Sequence, residues 1–236
     1  MEIITEKNLE RLKEMAGEEL TRLLDISNTP TLLLVAGGSA FSILDFVDEN
    51  IFSENLTIGM SDERFDADPA INNFSQFTKT EFYKRALSNT VSFIDSSVLT
   101  GESFAHYSQR FEDAIKNWLE KNLNGRVIVT FGIGPDGHTC GIMPFPENKK
   151  VFTELFEGER LAIGYDATGK NKFSFRVTIT NTFLRKYVRG AVVYGVGEEK
   201  RQAFTKMLNE RGDLAEIPAR ILCGLSQITF FTDLKK

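Results

Sequence analysis

Apolar and polar positions follow two rhythms along this chain. Between residues 6 and 24, Leu9, Leu12, Met15, Leu20, Leu23 and Leu24 recur at near-helical spacing with charges between them. That spacing predicts an amphipathic helix with Thr5 at its N-cap, ended by Asn28-Thr29-Pro30. Residues 31–36 (TLLLVA) are instead an unbroken apolar run, the pattern of a strand buried on both faces. Gly37-Gly38-Ser39 comes next, and Phe41, Ile43, Leu44, Phe46 and Val47 then predict a second helix. Strand, glycine turn and helix open a βα unit.

The succession repeats. Residues 56–60 read as a strand, 74–87 as mostly helical, and 101–123 as a long helix holding Phe104, Tyr107, Phe111, Ile115, Trp118 and Leu119. Residues 127–131 (VIVTF) form another buried strand. Residues 161–164 and 175–180 are strand candidates, 191–196 (AVVYGV) a strand leading to a helix from Glu198, and 228–231 the last strand. Strands alternating with helices predict the α/β class: a largely parallel β-sheet flanked by helices on both faces, a Rossmann-like open sheet. Residues 144–174, with Pro144, Pro146 and a polar run to Lys150, read as a surface excursion. No repeat or low-complexity linker interrupts the chain, so residues 1–236 are expected to form one domain.

Ligands of open parallel sheets bind beyond the carboxyl ends of the strands. Four of the runs lead straight into polar or glycine-rich loops on that edge: Gly37-Gly38-Ser39, Ser61-Asp62-Glu63-Arg64, Gly132 to His138, and Gly197 to Lys200. The two glycines of the first loop let backbone approach an anion, and Ser39 can donate to it or cap the helix. Arg64 offers a bidentate fork for phosphate or carboxylate. In Gly132-Ile133-Gly134-Pro135-Asp136-Gly137-His138, glycines and a proline fix an unusual backbone that ends in one of only two histidines. His138 suits general acid–base work, and Asp136 can orient it or contact substrate. Arg176 and Lys200 are candidate phosphate partners. Lys200 is a cation in the first turn of a helix, a place that favours anions. Cys140 is a weaker candidate nucleophile, and His106 reads as a surface or structural residue.

Composition narrows the classes. Of 236 residues, 42 % are hydrophobic and 26 % charged, with a net charge of −5. The basic residues are scattered among acids, so the stripe of a nucleic-acid binder is missing, and no apolar run approaches the ~18 residues of a membrane span. A few Arg, Lys and N–H groups can still bind a small anion locally. Two cysteines and no signal-like start lead us to expect free thiols and a cytoplasmic protein. Two His and two Cys, widely scattered, point to no metal site, and the Gly-x-Ser-x-Gly elbow, the P-loop and Gly-x-Gly-x-x-Gly are all absent.

At these segments the chain resembles the 6-phosphogluconolactonase family, within the wider group that includes glucosamine-6-phosphate deaminases and isomerases. Residues 35–39 resemble its first phosphate loop and Ser61-Asp62-Glu63-Arg64 its Asp-Glu-Arg motif, with Asn73 near its usual Ser-Asn pair. Residues 131–139 with Pro144 resemble its Gly-x-Gly-x-Asp-Gly-His-Thr signature, and 176–180 and 197–200 its later phosphate-site segments. The resemblance implies cofactor-free hydrolysis of 6-phosphoglucono-1,5-lactone. His138 would be the base, with Asp136 and Asp62 holding sugar or imidazole. Arg64 or the Gly134 turn would face the oxyanion, and Gly37, Gly38, Ser39, Arg176 and Lys200 would hold the 6-phosphate. A monomer is expected, with a homodimer as the alternative. The chain departs from the pattern at Ala40, Asn72, Cys140 to Met143, and Lys172 to Phe175, where the family's prolines are missing. The deaminase branch carries a Glu just before the final Pro of the signature, and here that position is Met143. A non-catalytic sugar-phosphate binder is the remaining alternative.

Overall fold

Each apolar run is a strand with both faces covered. The computed structural model describes residues 1–25, 28–209 and 211–235. In chain order it has β1 (Glu2–Thr5), α1 (Leu9–Leu24), β2 (Thr31–Val35), a 3-10 stretch (Gly38–Phe46), β3 (Leu56–Met60), β4 (Asp62–Arg64), α2 (Asn73–Phe77), α3 (Glu81–Leu87), β5 (Ser92–Phe93) and α4 (Phe104–Lys121). These are followed by β6 (Arg126–Phe131), α5 (Lys149–Phe156), β7 (Ala162–Asp166), β8 (Phe175–Ile179), α6 (Asn181–Tyr187), β9 (Val188–Tyr194), α7 (Arg201–Leu208) and β10 (Ile228–Thr232).

Seven strands pair in parallel in the order β1-β10-β9-β6-β2-β3-β5. Alternate residues of the central strands face opposite cores. Leu32, Leu34, Val127, Val129 and Phe131 meet Tyr107, Phe111, Ile115 and Trp118 of α4. Leu33, Val35 and Ile128 meet Leu12, Leu20 and Leu23 of α1 with Ile43 and Leu44. Helices therefore cover both faces, as the alternation predicts. From β2 the chain moves outward to β3 and β5, then returns to place β6 on the other side of β2. The strand order thus reverses between β2 and β6, where the loops after them leave a crevice.

Local readings needed correction where short-range chemistry competed. The cap of α1 is Asn8, whose side chain accepts from the N–H groups of Glu10 (3.1 Å) and Arg11 (3.2 Å). Thr5 instead ends β1, an edge strand on β10 too short to show a periodicity. The second expected helix is a 3-10 stretch, and 74–87 divides into α2 and α3. The expected surface excursion contains α5 and β7, and Phe152 and Phe156 of α5 are buried. The largest difference is a second sheet: β7 and β8 do not join the large one but pair antiparallel with β4 in the order β4-β8-β7.

Candidate active site

The small sheet explains how the Asp-Glu-Arg segment meets Arg176, a residue 112 positions or more away in sequence. In the β4–β8 register Asp62 lies opposite Thr178 and Arg64 opposite Arg176. The two-residue period puts those four side chains on one face and Glu63 and Val177 on the other. Asp62, Arg64 and Arg176 line a pocket of about 230 Å³ at the crevice. Gly37, Gly38, Ser39, Gly134, His138 and Lys200 line it too. Asp136 is not in the wall itself but stands behind His138.

The loop after β6 is built around that pair. The His138 Nδ1–H donates to Asp136 Oδ1 at 2.6 Å, and the His138 backbone N–H donates to the same oxygen at 3.1 Å. Gly137, at φ +86°, turns the chain in a conformation that suits only glycine. Gly134 is fixed by space, because a Cβ there would lie 2.1 Å from His138 Nδ1. Its N–H is already given to the His138 carbonyl at 2.9 Å, so among the expected oxyanion donors it is committed elsewhere. Burial works to raise Asp136, but the hydrogen bond and charge of His138 outweigh it and hold the carboxyl below its ordinary value.

Across the pocket the charges are mostly positive. The buried Arg176 donates from Nη2 to Asp62 Oδ2 at 2.7 Å, so Asp62 is spent on Arg176 while Asp136 serves the imidazole. Arg64 sits beside Arg176, and burial together with that neighbour lowers its pKa. The Nε groups of both arginines are buried and have no partner among the described residues. Lys200 forms no ion pair among the described residues, and burial pushes its pKa down. Three cations against one carboxylate make the wall locally positive on a chain of net charge −5. Gly37 is the N-cap residue of the 3-10 stretch and no side chain caps it, so Ser39 does not take the capping role.

Several residues support this wall from behind. Glu63 is wholly buried, and its carboxyl oxygens accept from the N–H groups of Asn73 (2.7 Å) and Phe74 (2.7 Å) and from Asn72 Nδ2 (2.9 Å), with Ser96 Oγ at 2.8 Å. Asn73 in turn donates to the Asp62 carbonyl at 2.9 Å and lines the pocket. A Cβ on Gly37 would lie 2.3 Å from Asn73 Oδ1, which is why that loop position is glycine. Cys140 (φ +46°) and Gly141 (φ +71°) also reach the wall, held by Thr178 Oγ1–H on the Cys140 carbonyl and Tyr165 O–H on the Gly141 carbonyl. Burial pushes the Cys140 thiol well up, which disfavours the thiolate a nucleophile needs. The sequence marked Asn73, Glu63 and Cys140 without these roles, whereas Ser96 and Tyr165, brought in from distant segments, left no local signal.

Among the described residues no three His, Cys, Asp or Glu side chains group to hold a metal ion, and no helix is long and apolar enough to cross a membrane.

An open parallel sheet with a cationic pocket at its switch point, walled by a histidine on a carboxylate, defines the class: an α/β protein with a crevice at the carboxyl ends of its strands. Within that class the chain belongs to the family described as glucosamine-6-phosphate isomerases/6-phosphogluconolactonase, whose profile matches residues 6–230. A Caenorhabditis elegans protein named "Putative 6-phosphogluconolactonase" is 30 % identical over 155 residues, 61 % of this chain, and the match spans 55 % of that relative's length. The Trypanosoma brucei 6-phosphogluconolactonase structure superposes with a TM-score of 0.75 at 21 % identity, over 98 % of this chain and 95 % of that one. A monomeric glucosamine-6-phosphate deaminase superposes with a TM-score of 0.70 at 15 % identity, over 98 % and 97 %. At these identities the likeness is one of fold, and both activities share it.

Proposed function

We propose that this chain hydrolyses 6-phosphoglucono-1,5-lactone to 6-phosphogluconate, with His138 as the general base. The observation that carries this reading is His138, backed by Asp136, in a wall with three cations. With Nδ1–H bound to Asp136, Nε2 is left as the proton acceptor. His138 takes a proton from water as the oxygen attacks C1 and returns it to the departing ring oxygen, so no net proton is held after turnover. Arg64 faces the oxyanion that develops at C1. Gly37, Gly38, Ser39, Arg176 and Lys200 hold the 6-phosphate, whose binding fixes C1 against the water. Asp62 holds Arg176 in place and completes the sugar side of the pocket.

The deaminase reading lacks support at Met143, a fully buried thioether where that branch carries a Glu able to move a proton. The names of the C. elegans and T. brucei proteins favour the lactone. The reaction needs no cofactor, proceeds in water, and is expected of a monomeric cytoplasmic protein.

The test is proton release from freshly prepared 6-phosphogluconolactone, with His138→Ala as the control for spontaneous hydrolysis. Acceleration by the wild type and a loss of about 10²–10⁴ in kcat in the variant are expected. No acceleration by the wild type, or an undiminished rate in the variant, overturns the reading. Ammonia released from glucosamine-6-phosphate would establish the other branch.

A further inference from the structure

Arg64 is a half-buried cation held in an unusual way. It faces Arg176 directly across the β4–β8 ladder, a placement in which like charges repel. Asp62, whose carboxylate lines the same pocket, is given to Arg176. Arg64 makes one side-chain hydrogen bond among the described residues, from Nη1 to the Ile71 carbonyl at 3.1 Å, and its buried Nε has no partner there. Its remaining support is aromatic: the guanidinium carbon lies 5.0 Å from the centroid of the Phe173 ring.

Phe173 belongs to the β7–β8 hairpin loop, residues 167–174, where this chain has Lys172-Phe173-Ser174-Phe175 in place of the family's prolines. The loop is closed by the Ala167 N–H on the Ser174 carbonyl at 2.6 Å, and Asn171 Oδ1 accepts the Phe173 N–H at 3.1 Å, which fixes where the ring stands. Lys172 Nζ lies 4.7 Å from the same ring. Phe173 is half-buried and stands outside the pocket lining, behind the arginine.

We infer that Phe173 is a positioning residue, whose ring face holds the Arg64 guanidinium in the pocket wall beside Arg176. The ring's negative quadrupole face attracts the cation without competing for its N–H donors, so Nη2 stays free for a substrate oxygen. A carboxylate in that place would take the donors and cancel the charge. The inference rests on the lactonase reading for its effect on catalysis: because Arg64 faces the oxyanion at C1, loosening it lowers kcat rather than phosphate binding.

The experiment has two readouts on purified full-length protein. In the first, Phe173→Leu lowers kcat by about three- to twentyfold with KM within about twofold, while Phe173→Tyr stays near wild type. In an Arg64→Lys background, Phe173→Leu adds little further loss. The second readout needs no turnover. In protein labelled with ¹⁵N-arginine, the Arg64 Nε–H signal, assigned by its loss in Arg64→Lys, shifts in Phe173→Leu but keeps its position in Phe173→Tyr. An unmoved Arg64 signal in Phe173→Leu overturns the inference, as does equal damage from Leu and Tyr or a rise in KM alone. A wild type without lactonase activity refutes the proposed reaction, and the arginine signal still decides the role of Phe173.

Discussion

His138 and Asp136 show how one contact sets chemistry at a single residue. With the Nδ1 proton on Asp136 Oδ1, the imidazole presents an acceptor at Nε2. Asp136→Asn keeps the shape but offers an amide that can donate to Nδ1 and so favours the other tautomer. The expected result is a fall in kcat of about 10²–10⁴ with KM little changed, measured on the same lactone. Cys140 gives the opposite expectation. Its buried thiol is held protonated, so Cys140→Ala should keep turnover of wild-type order, whereas a thiolate nucleophile would lose it entirely. Its place is set by backbone geometry and by its carbonyl, which Thr178 holds.

At the scale of elements, Glu63 joins β4 to the start of α2. Its carboxyl group gathers contacts from Asn72, Asn73, Phe74 and Ser96, and through them fixes Asp62, Arg64 and Asn73 around the pocket. Burial pushes this group up to about 8, with the Ser96, Asn73 and Phe74 hydrogen bonds pulling the other way. The folded chain then holds a proton on Glu63 that the unfolded chain gives up at about 4.3. Folded protein binds the extra proton between those values, so this group makes stability fall as pH rises from about 4.3 to 8. Denaturant unfolding at pH 5 and pH 8 should show that loss in the wild type and a flatter dependence in Glu63→Gln. Equal slopes would mean that Glu63 is ionised throughout.

The whole molecule places the pocket through two sheets that share one core. Val177, Ile179, Ala162 and Tyr165 of the small sheet pack in the same cluster as Leu32, Val129 and Phe131 of the large one. Unfolding should therefore be a single transition, identical by fluorescence and circular dichroism, and two separated transitions would divide the sheets. Leu33 lies in the other core, fully buried on β2. Leu33→Ala should cost about 2–5 kcal/mol of stability, read from denaturant midpoints, while the folded fraction keeps its catalytic constants.

Much of this protein can be read from one dimension. Buried parallel strands need continuous apolar runs, and the loops that follow them must carry polar and glycine residues. Residues 31–36, 56–60 and 127–131 with their loops therefore announced both the open sheet and its binding edge. Positions fixed by backbone conformation were legible for the same reason: the left-handed turn at Gly137 and the ring packed on Gly134 leave a local trace in residue type. Pairing between distant segments leaves none. That β8 abandons the large sheet for β4, that Asp62 serves Arg176 while Asp136 serves His138, and that Phe173 supports Arg64 were decided only by tertiary structure. A short strand's composition does not name its partner, and a carboxylate's sequence does not name the cation that will reach it.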